Sequence, residues 1–333
     1  MKRKAYAPQQ NQFRTAIWFL LPNFIGFIVF CVGPVFFSLI ISFSNWNLQQ
    51  TIPFRWIGLT NFSEMLGNQE FWSYFVNTIY LMLGMPVAIA GSLCLALLLN
   101  QRLRGIVVYR TLFYLPTFTS GVALIILWKA LYNPDFGVIN AIINWFLETL
   151  QINRLLDAVL GATVSAPVWL QSTQNILGLD VDAVRLVKAQ WGIGARDAII
   201  IMGIWIAIGG NNMLLYLAGL SNIPKELFEA ARIDGAGRWA TFRYVTWHQL
   251  SPTTFFIVIM SFIGGLQGGF EQARVMTEGG PAGTTTTLTY HIYTKAFEEF
   301  QIGYASAIAW ILFIFIFVLT MVYWKFGNRD LSY

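Results

Sequence analysis

The sequence predicts an all-α integral membrane protein with six transmembrane helices and a polar helix-turn-helix loop between the fourth and fifth. Of its 333 residues, 56% are hydrophobic and only 11% are charged, whereas an average soluble domain carries about 25% charged residues. Aromatic residues make up 16% of the chain and include 13 Trp, a composition typical of proteins that place such rings at membrane interfaces.

Six apolar stretches are long enough to cross the roughly 30 Å hydrocarbon layer of a bilayer. The first is about twice as long as the core of a signal peptide and no small-residue cleavage site follows it promptly, so we interpret it as a retained span. Pro116 is expected to kink the third. The six predicted spans are Ala16–Phe43, Phe75–Asn100, Val108–Trp128, Ala198–Leu220, Thr253–Gly269 and Tyr304–Trp324.

The distribution of basic residues predicts that both chain ends are cytoplasmic. With the N-terminus inside, the cytoplasmic segments hold 13 of the 21 Lys and Arg residues, as the positive-inside rule requires. The predicted organisation is a cytoplasmic tail over residues 1–15, followed by a six-span domain over 16–333. That domain includes an outer loop over 133–196 and a cytoplasmic loop over 221–252.

Several classes of function are disfavoured by what the spans and loops lack. Apart from Arg110 near the start of the third, the predicted spans contain no Asp, Glu, Lys, Arg or His, whereas ion-coupled transporters usually keep such groups within the membrane. No GxxxxGK[ST] phosphate loop occurs; the nearest stretch, Gly279–Thr287, is better interpreted as a Gly/Pro turn with threonines. The net charge of +5 is scattered and indicates no nucleic-acid surface.

The cysteines and histidines do not predict a disulfide or metal site. Cys31 and Cys94 both fall inside apolar stretches, so we expect two small buried hydrophobic side chains and no disulfide framework. His248 and His291 lie in separate loops and make no metal-ligand pattern with the cysteines. No arrangement of polar residues resembles a catalytic site.

The polar loop before the fifth span, over 221–252, is predicted to form two short helices joined by a glycine turn. Pro224 suits a first helical turn, and Ser221 or Asn222 can cap a helix over Lys225–Asp234. Gly235 and Gly237 allow the turn. A second helix is predicted over Arg238–Trp247, and Pro252 is predicted to open the fifth span.

One side of the first short helix carries small and apolar residues at helical spacing. Leu227, Ala230, Ala231 and Asp234 fall on this side, with Phe228 and Arg232 beside them. Small residues allow a close approach by a groove on a partner protein. An ordinary helix lying on lipid headgroups fits the pattern about equally well.

The run EAARIDGAG resembles the EAA loop of binding-protein-dependent ABC importer permeases, in their carbohydrate, maltose-permease-like branch. Glu229, Ala230, Ala231 and Gly235 match the first half of the motif. Val245 stands at its Ile position, but Trp247 and His248 replace its Leu-Pro dipeptide. Further stretches that match the branch are WIGLTNF (56–62), RTLFYLP (110–116), NPDFGVIN (133–140), VMTEGGPAGTTTTLTYHIY (275–293) and YASAIAW (304–310).

The resemblance implies a transport subunit without an ATPase site of its own, in the inner membrane of a prokaryote. Its expected partners are a second permease, an ATP-binding cassette ATPase dimer that binds ATP and Mg, and an extracytoplasmic solute-binding protein. The implied ATPase-coupling residues are Leu227, Glu229, Ala230, Ala231, Arg232, Asp234, Gly235 and Gly237. Sugars are the expected cargo, with glycosides, polyols and glycerol phosphodiesters or phosphate as alternatives.

A substrate path for such cargo needs hydrogen-bonding and stacking groups within the spans. The candidates are Asn211, Asn212, Tyr216, Gln267, Gly269 and Phe270. Asn211 and Gly269 match contact positions of the maltose-type family, as do Phe262, Gly265 and Leu266, but the polar residues of the family are replaced by apolar ones or glycine in the fifth span. Alternatively, these glycines and amides serve helix packing.

The second half of the loop over 133–196 looks longer than in the permeases that the chain resembles, and Asp180–Gln190 is predicted to form a short amphipathic helix within the loop. It either contacts the solute-binding protein, covers the mouth of the path, or lies on the membrane. Other classes remain as alternatives: a self-sufficient secondary transporter or channel, an exporter subunit, and a membrane enzyme. The sequence shows no coupling group or pore for a secondary transporter or channel. It shows no long cytoplasmic helices with an ATPase for an exporter subunit, and no catalytic arrangement of residues for a membrane enzyme.

Overall fold

A computed structural model describes residues 9–51, 53–101, 104–154, 165–178 and 191–327. In these ranges the chain forms helices and two isolated β-bridges, Ser44 with Trp56 and Asn175 with Trp191. The helices, with short π and 3-10 segments between some of them, are α1 Gln9–Phe27, α2 Gly33–Ile41, α3 Thr60–Gly67, α4 Gln69–Leu81, α5 Gly84–Leu99, α6 Ile106–Tyr114, α7 Gly121–Leu131, α8 Val138–Thr149, α9 Ala195–Ile208, α10 Asn211–Ser221, α11 Lys225–Ile233, α12 Arg238–Thr241, α13 Trp247–Gln267, α14 Phe270–Gln272, α15 Leu288–Tyr293 and α16 Ile302–Gly327.

The all-helical membrane fold predicted from the sequence is confirmed. Among the described residues, five helices are long and apolar enough to span a membrane, or six if a bent pair forms one span. The pair is Ile106–Phe118 and Gly121–Leu131, bent by 97°. A 3-10 turn over Leu115–Phe118 contains Pro116, so the predicted kink lies where proline interrupts the helical hydrogen bonds.

The prediction for the start of the fifth span was wrong. Pro252 does not open it but lies inside α13, and helical structure runs over Arg238–Thr277 for 40 residues. The second helix of the polar loop is therefore the beginning of this long helix. A π-helical turn at Phe242–Thr246 joins its first segment to α13, and such turns keep a helix continuous while changing its register.

The chain divides into two compact units. One comprises Met1–Met65 with Ile292–Trp310, and the other Leu66–His291 with Ile311–Tyr333. In the first unit, buried Asn61 of the WIGLTNF stretch donates through Nδ2 to the carbonyls of Ser42 and Ser44, at 2.8 and 2.9 Å. This amide therefore holds the turn that follows the first span.

The second unit contains two hydrophobic clusters. The EAA core is built mainly from α5, α10 and α13, and Leu227 and Phe228 of α11 pack against it. The aromatic core lies around Trp128, Tyr132 and Trp169, with residues of α9. Burial raises the pKa of the Tyr132 hydroxyl, which donates to the carbonyl of Ala198 at 2.8 Å.

Helices α5 and α9 are in close contact because glycines face isoleucines. A Cβ built on Gly84 would lie 2.8 Å from Ile200 Cγ2, and one on Gly91 would lie 2.7 Å from Ile208 Cδ1. Ser92 Oγ, buried between them, donates to the carbonyl of Ala207 at 3.1 Å. Small residues of this kind allow membrane helices to approach closely.

The expectation that both cysteines are buried was wrong. Cys31 and Cys94 are exposed on the surface of the chain and are free thiols. In the helical segment Thr15–Ile41, which contains Cys31, only 6% of the most apolar 18-residue stretch is buried inside the protein. A span facing lipid is apolar on its outer side as well, so a cysteine in an apolar run need not point into protein.

Candidate functional site

Helix α11 ends in a tight glycine cap. The N–H of Gly235 donates to the carbonyl of Arg232, and that of Ala236 to the carbonyl of Ala231, at 3.1 and 2.9 Å. Gly235 has φ +75°, and this pair of hydrogen bonds with a left-handed residue is the Schellman motif. The predicted glycine turn is thus present at the residue where α11 stops.

The N-terminal cap differs from the prediction. Neither Ser221 nor Asn222 caps α11, because both belong to the end of α10: Ser221 Oγ donates to the carbonyl of Ala218, and Asn222 is the C-cap residue. Pro224 precedes α11 in an extended conformation without a side-chain cap. Glu226 lies in the first turn, where a negative charge is favourable to the helix dipole.

The structure divides the predicted contact side of α11 into two faces. Leu227 is half-buried against the EAA core, and Ala231 is half-buried as well. The opposite face is exposed, and four residues at positions i, i+3, i+4 and i+7 form it, which places them in one row along the helix. We call this the EAA face: Glu226, Glu229, Ala230 and Ile233.

Two residues of this face were not among the predicted coupling residues: Glu226 and, at the other end of the helix, Ile233. Ile233 is 87% exposed at the last position of α11, and Arg232, Asp234 and Gly237 near it are exposed too. Its position at i+3 from Ala230 was the signal available in the sequence. A single exposed apolar side chain is ordinary on a protein surface, so Ile233 adds an apolar group to the EAA face without by itself indicating a partner.

We expect Gly235→Ala to weaken the end of α11 without a clash. A Cβ at this position would meet nothing within 4 Å, so the cost is that of holding a non-glycine residue at positive φ, about 1 kcal/mol. Amide hydrogen exchange should accelerate at Gly235 and Ala236 and stay unchanged in α10. Equal exchange in both proteins would show that the cap does not depend on glycine.

A cleft of about 390 Å³ opens between α4–α5, α9–α10 and α13–α14. Its walls are mainly aliphatic and glycine, and no ionisable side chain lines it among the described residues. The polar lining consists of Thr78, Asn212, Ser261, Gln272 and Thr287. Such a cleft offers hydroxyl and amide groups to a neutral polar solute.

Two of the predicted path residues line the cleft, Asn212 and Gly269. Gly269 has φ +84°, and a Cβ there would lie 2.5 Å from Thr287 Cγ2. Both the backbone conformation and the close approach therefore require glycine. Thr78, Ser261 and Thr287 were not among the predicted residues, because each lies in a separate part of the chain and no local pattern connects them.

The other four predicted path residues do not line the cleft. Asn211 is exposed and accepts through Oδ1 from Tyr114 Oη at 3.1 Å. Tyr216 is fully buried in the EAA core. Gln267 is exposed at the last position of α13, and the ring of Phe270 lies against Tyr290, with 6.1 Å between centroids.

The buried carboxylate of Asp197, in α9, connects this helix with α4 and with the described residues 165–178 of the outer loop. Tyr80 Oη donates to Asp197 Oδ1 at 2.7 Å. The N–H groups of Ile176 and Gly194 donate to Oδ2 at 3.1 and 3.2 Å. Asp197 is only 2% exposed, so its oxygens are satisfied by protein donors rather than by water.

Its neighbour Arg196 is equally buried, and the Arg196 guanidinium lies over the ring of the same Tyr80, 5.1 Å from the ring centroid. Arg196 Nη1 donates to Asn77 Oδ1 at 3.3 Å, and Asn77 Nδ2 donates to the carbonyls of Gly283 and Thr286 at 2.9 and 3.2 Å. These carbonyls belong to the Gly279–Thr287 stretch. The interpretation of that stretch as a structural turn is confirmed, since three of its threonine hydroxyls donate to its own carbonyls.

Residues 87–326 match the model of a protein family that is described as the binding-protein-dependent transport system inner membrane component. The chain belongs to this family. It is thus a membrane permease component of a binding-protein-dependent transport system, as its resemblance to the EAA-loop permeases predicted. The match includes the EAA face and the whole described cleft except Thr78, Leu81, Met82, Gly84 and Met85.

Several curated permeases are similar over nearly their whole length. A probable ABC transporter permease protein, YesP of Bacillus subtilis (strain 168), is 34% identical over 95% of this chain and 91% of its own. The multiple sugar-binding transport system permease protein MsmF of Streptococcus mutans is 29% identical over 93% and 94%. The lactose transport system permease protein LacF of Rhizobium radiobacter is 30% identical over 91% of each chain.

A solved structure shares the fold of this permease. It is the crystal structure of a bacterial ABC transporter involved in the import of the acidic polysaccharide alginate. One of its chains aligns with a TM-score of 0.70 and 22% identity, over 96% of both chains.

Proposed function

We propose that this permease is one of two membrane-spanning subunits of an ATP-driven importer for a neutral sugar, glycoside or polyol. The exposed EAA face is the observation that carries the proposal. Its helix is packed on the EAA core by Leu227 and Phe228, while Ala230 and Ile233 point away from the chain. A partner that moves α11 would therefore move α5, α10 and α13 with it.

The proposed partner at this face is a dimer of ATP-binding cassette ATPases, which bind ATP and Mg. The polar loop is then cytoplasmic, and both chain ends lie on the same side, as the distribution of Lys and Arg indicates. A second permease subunit and an extracytoplasmic solute-binding protein complete the transporter. This chain supplies the path for the cargo and the helix α11 that the ATPase moves, and the ATPase subunits supply the energy.

The chemistry of the cleft supports an uncharged cargo. Its polar groups are hydroxyls and amides, and its described lining contains no cation that could balance a phosphate or a uronic acid. The names of similar permeases include lactose and arabinooligosaccharide transport. One similar permease belongs to an sn-glycerol-3-phosphate system, and the uncharged lining makes such an anion the weaker candidate here.

Photocrosslinking tests the ATPase contact with a matched pair of neighbouring alanines. In a background lacking the two exposed cysteines, Ala230→Cys and Ala231→Cys are each labelled, in the assembled transporter, with a short alkyl diazirine that adds less bulk than an indole. Ala230 is exposed and Ala231 is half-buried, so the ATPase subunit should be captured mainly from position 230. Capture of no ATPase from position 230, or preferential capture from 231, would reject the proposed contact.

The cleft is tested by uptake. Asn212→Ala and Gln272→Ala each remove one neutral hydrogen-bonding group from its wall. Loss of such a bond costs about 1 kcal/mol, so we expect the KM for uptake to rise several-fold, up to about tenfold. Gln101→Ala, at an exposed position outside the cleft, is the control. An unchanged KM in both cleft variants would place the path elsewhere.

A further inference from the structure

Helix α8 carries an apolar face that nothing in the described part of the chain covers. Val138, Ile142, Trp145 and Phe146 are between 49% and 59% exposed. Since successive helical residues are about 100° apart, these four fall within one third of the helix circumference. They lie on the loop over 133–196, outside the predicted spans.

The opposite side of α8 is fixed to the protein. Ile139 and Ile143 pack against the aromatic core. Buried Asn140 accepts from Trp169 Nε1 at 2.7 Å and donates to the carbonyl of Pro167 at 3.2 Å. Because these contacts fix the rotation of the helix about its axis, the apolar face cannot turn inward and become buried against the protein.

A narrow polar flank separates the two faces. Asn144 and Glu148, four residues apart, are both exposed and lie on one edge of the helix. The helix thus presents protein-facing, apolar and water-facing sides around its axis. This arrangement, with Trp and Phe on the apolar side, is typical of helices that lie in the plane of a membrane interface.

We propose that α8 lies in the headgroup region of the bilayer, with Val138, Ile142, Trp145 and Phe146 inserted toward the acyl chains. In this position it anchors the loop over 133–196 to the membrane and holds the aromatic core at a constant depth. Helix α7, which ends seven residues before α8, also exposes large apolar side chains, Ile126 and Leu127.

Lipid suits this face better than a protein that binds and leaves. A solute-binding protein that docks in each transport cycle would return four large apolar side chains to water each time it departed, which is unfavourable. Lipid is always present around a multi-pass protein. The helix contains no Lys or Arg, so its insertion depends on apolar contact rather than on attraction to anionic headgroups.

Site-specific fluorescence quenching tests the proposal. The complete transporter, with Cys31→Ser and Cys94→Ser, is reconstituted in phosphatidylcholine–phosphatidylglycerol vesicles and labelled with NBD at Trp145→Cys or at the adjacent Asn144→Cys. We expect nitroxide-bearing lipids to quench the label at 145 and aqueous iodide to quench it about threefold less than at 144. Both substituted residues are exposed, so neither change removes a core contact.

Three outcomes would overturn the proposal. Equal iodide quenching at 144 and 145 would place the helix in water. Protection of position 145 from both quenchers would show that a protein, such as the second permease, covers it. Labels at Val138→Cys and Trp145→Cys should also report similar depths; a difference near 10 Å, the length of seven helical residues, would mean that the helix stands upright.

Discussion

Asp197→Ala is expected to destabilise the permease more than any other single change considered. The substitution leaves Tyr80 Oη and the N–H groups of Ile176 and Gly194 without their acceptor. Asp197 is almost completely buried, and each buried donor left unpaired costs about 1–3 kcal/mol. Three unpaired donors together cost at least about 3 kcal/mol, so the midpoint of thermal unfolding in detergent should fall clearly.

Two further variants show whether the cluster is responsible. Asp197→Asn keeps one carbonyl oxygen and should lose less stability than the alanine variant. Asp135→Ala removes a carboxylate from an exposed residue whose side chain makes no hydrogen bond in the described part of the chain, and should unfold at the same temperature as the original protein. If Asp197→Ala matched Asp135→Ala, the buried carboxylate would not stabilise the fold.

Ala230→Trp is expected to abolish transport while leaving the permease folded. Ala230 is the smallest side chain of the EAA face and lies between Glu229 and Ile233 on an exposed surface. An indole at this exposed position should be tolerated by the fold, but it would prevent close approach of a groove on the proposed ATPase partner. Loss of a central contact typically costs at least 2 kcal/mol, so ATP-dependent uptake should fall by more than about tenfold.

The matched change elsewhere is Ala141→Trp, at an exposed alanine of α8. It adds the same side chain at a site far from the polar loop in sequence and should leave uptake and ATPase association unchanged. Co-purification of the ATPase with each variant separates loss of docking from loss of folding. Normal uptake by Ala230→Trp would contradict the assignment of the EAA face as the coupling surface.

The sequence by itself was sufficient for the membrane fold, for the family and for the glycine turn after α11. These features depend on local properties: runs of about 20 apolar residues, a proline that breaks a helix, and a glycine at positive φ. The error at Pro252 has the same local origin. A proline within a helix and one before a helix look alike in the sequence, and only the neighbouring turns distinguish them.

Tertiary packing decided which side of each helix faces protein. Leu227 and Ala230 are three residues apart and belong to one predicted side of α11, yet one packs on the EAA core and the other is exposed. Asn211 and Asn212 are adjacent, but only the second lines the cleft. In a soluble protein, polarity would have indicated the buried side.

In this permease, polarity along the spans does not reveal burial, because lipid and protein interior are both apolar and both exclude water. Cys31 and Cys94 illustrate the result, since each lies in an apolar run and is nevertheless exposed. The sequence therefore determined that the chain crosses the membrane and where its helices bend or stop. The contacts between distant segments, such as Thr78, Asn212 and Thr287 around one cleft, were decided only when the helices packed together.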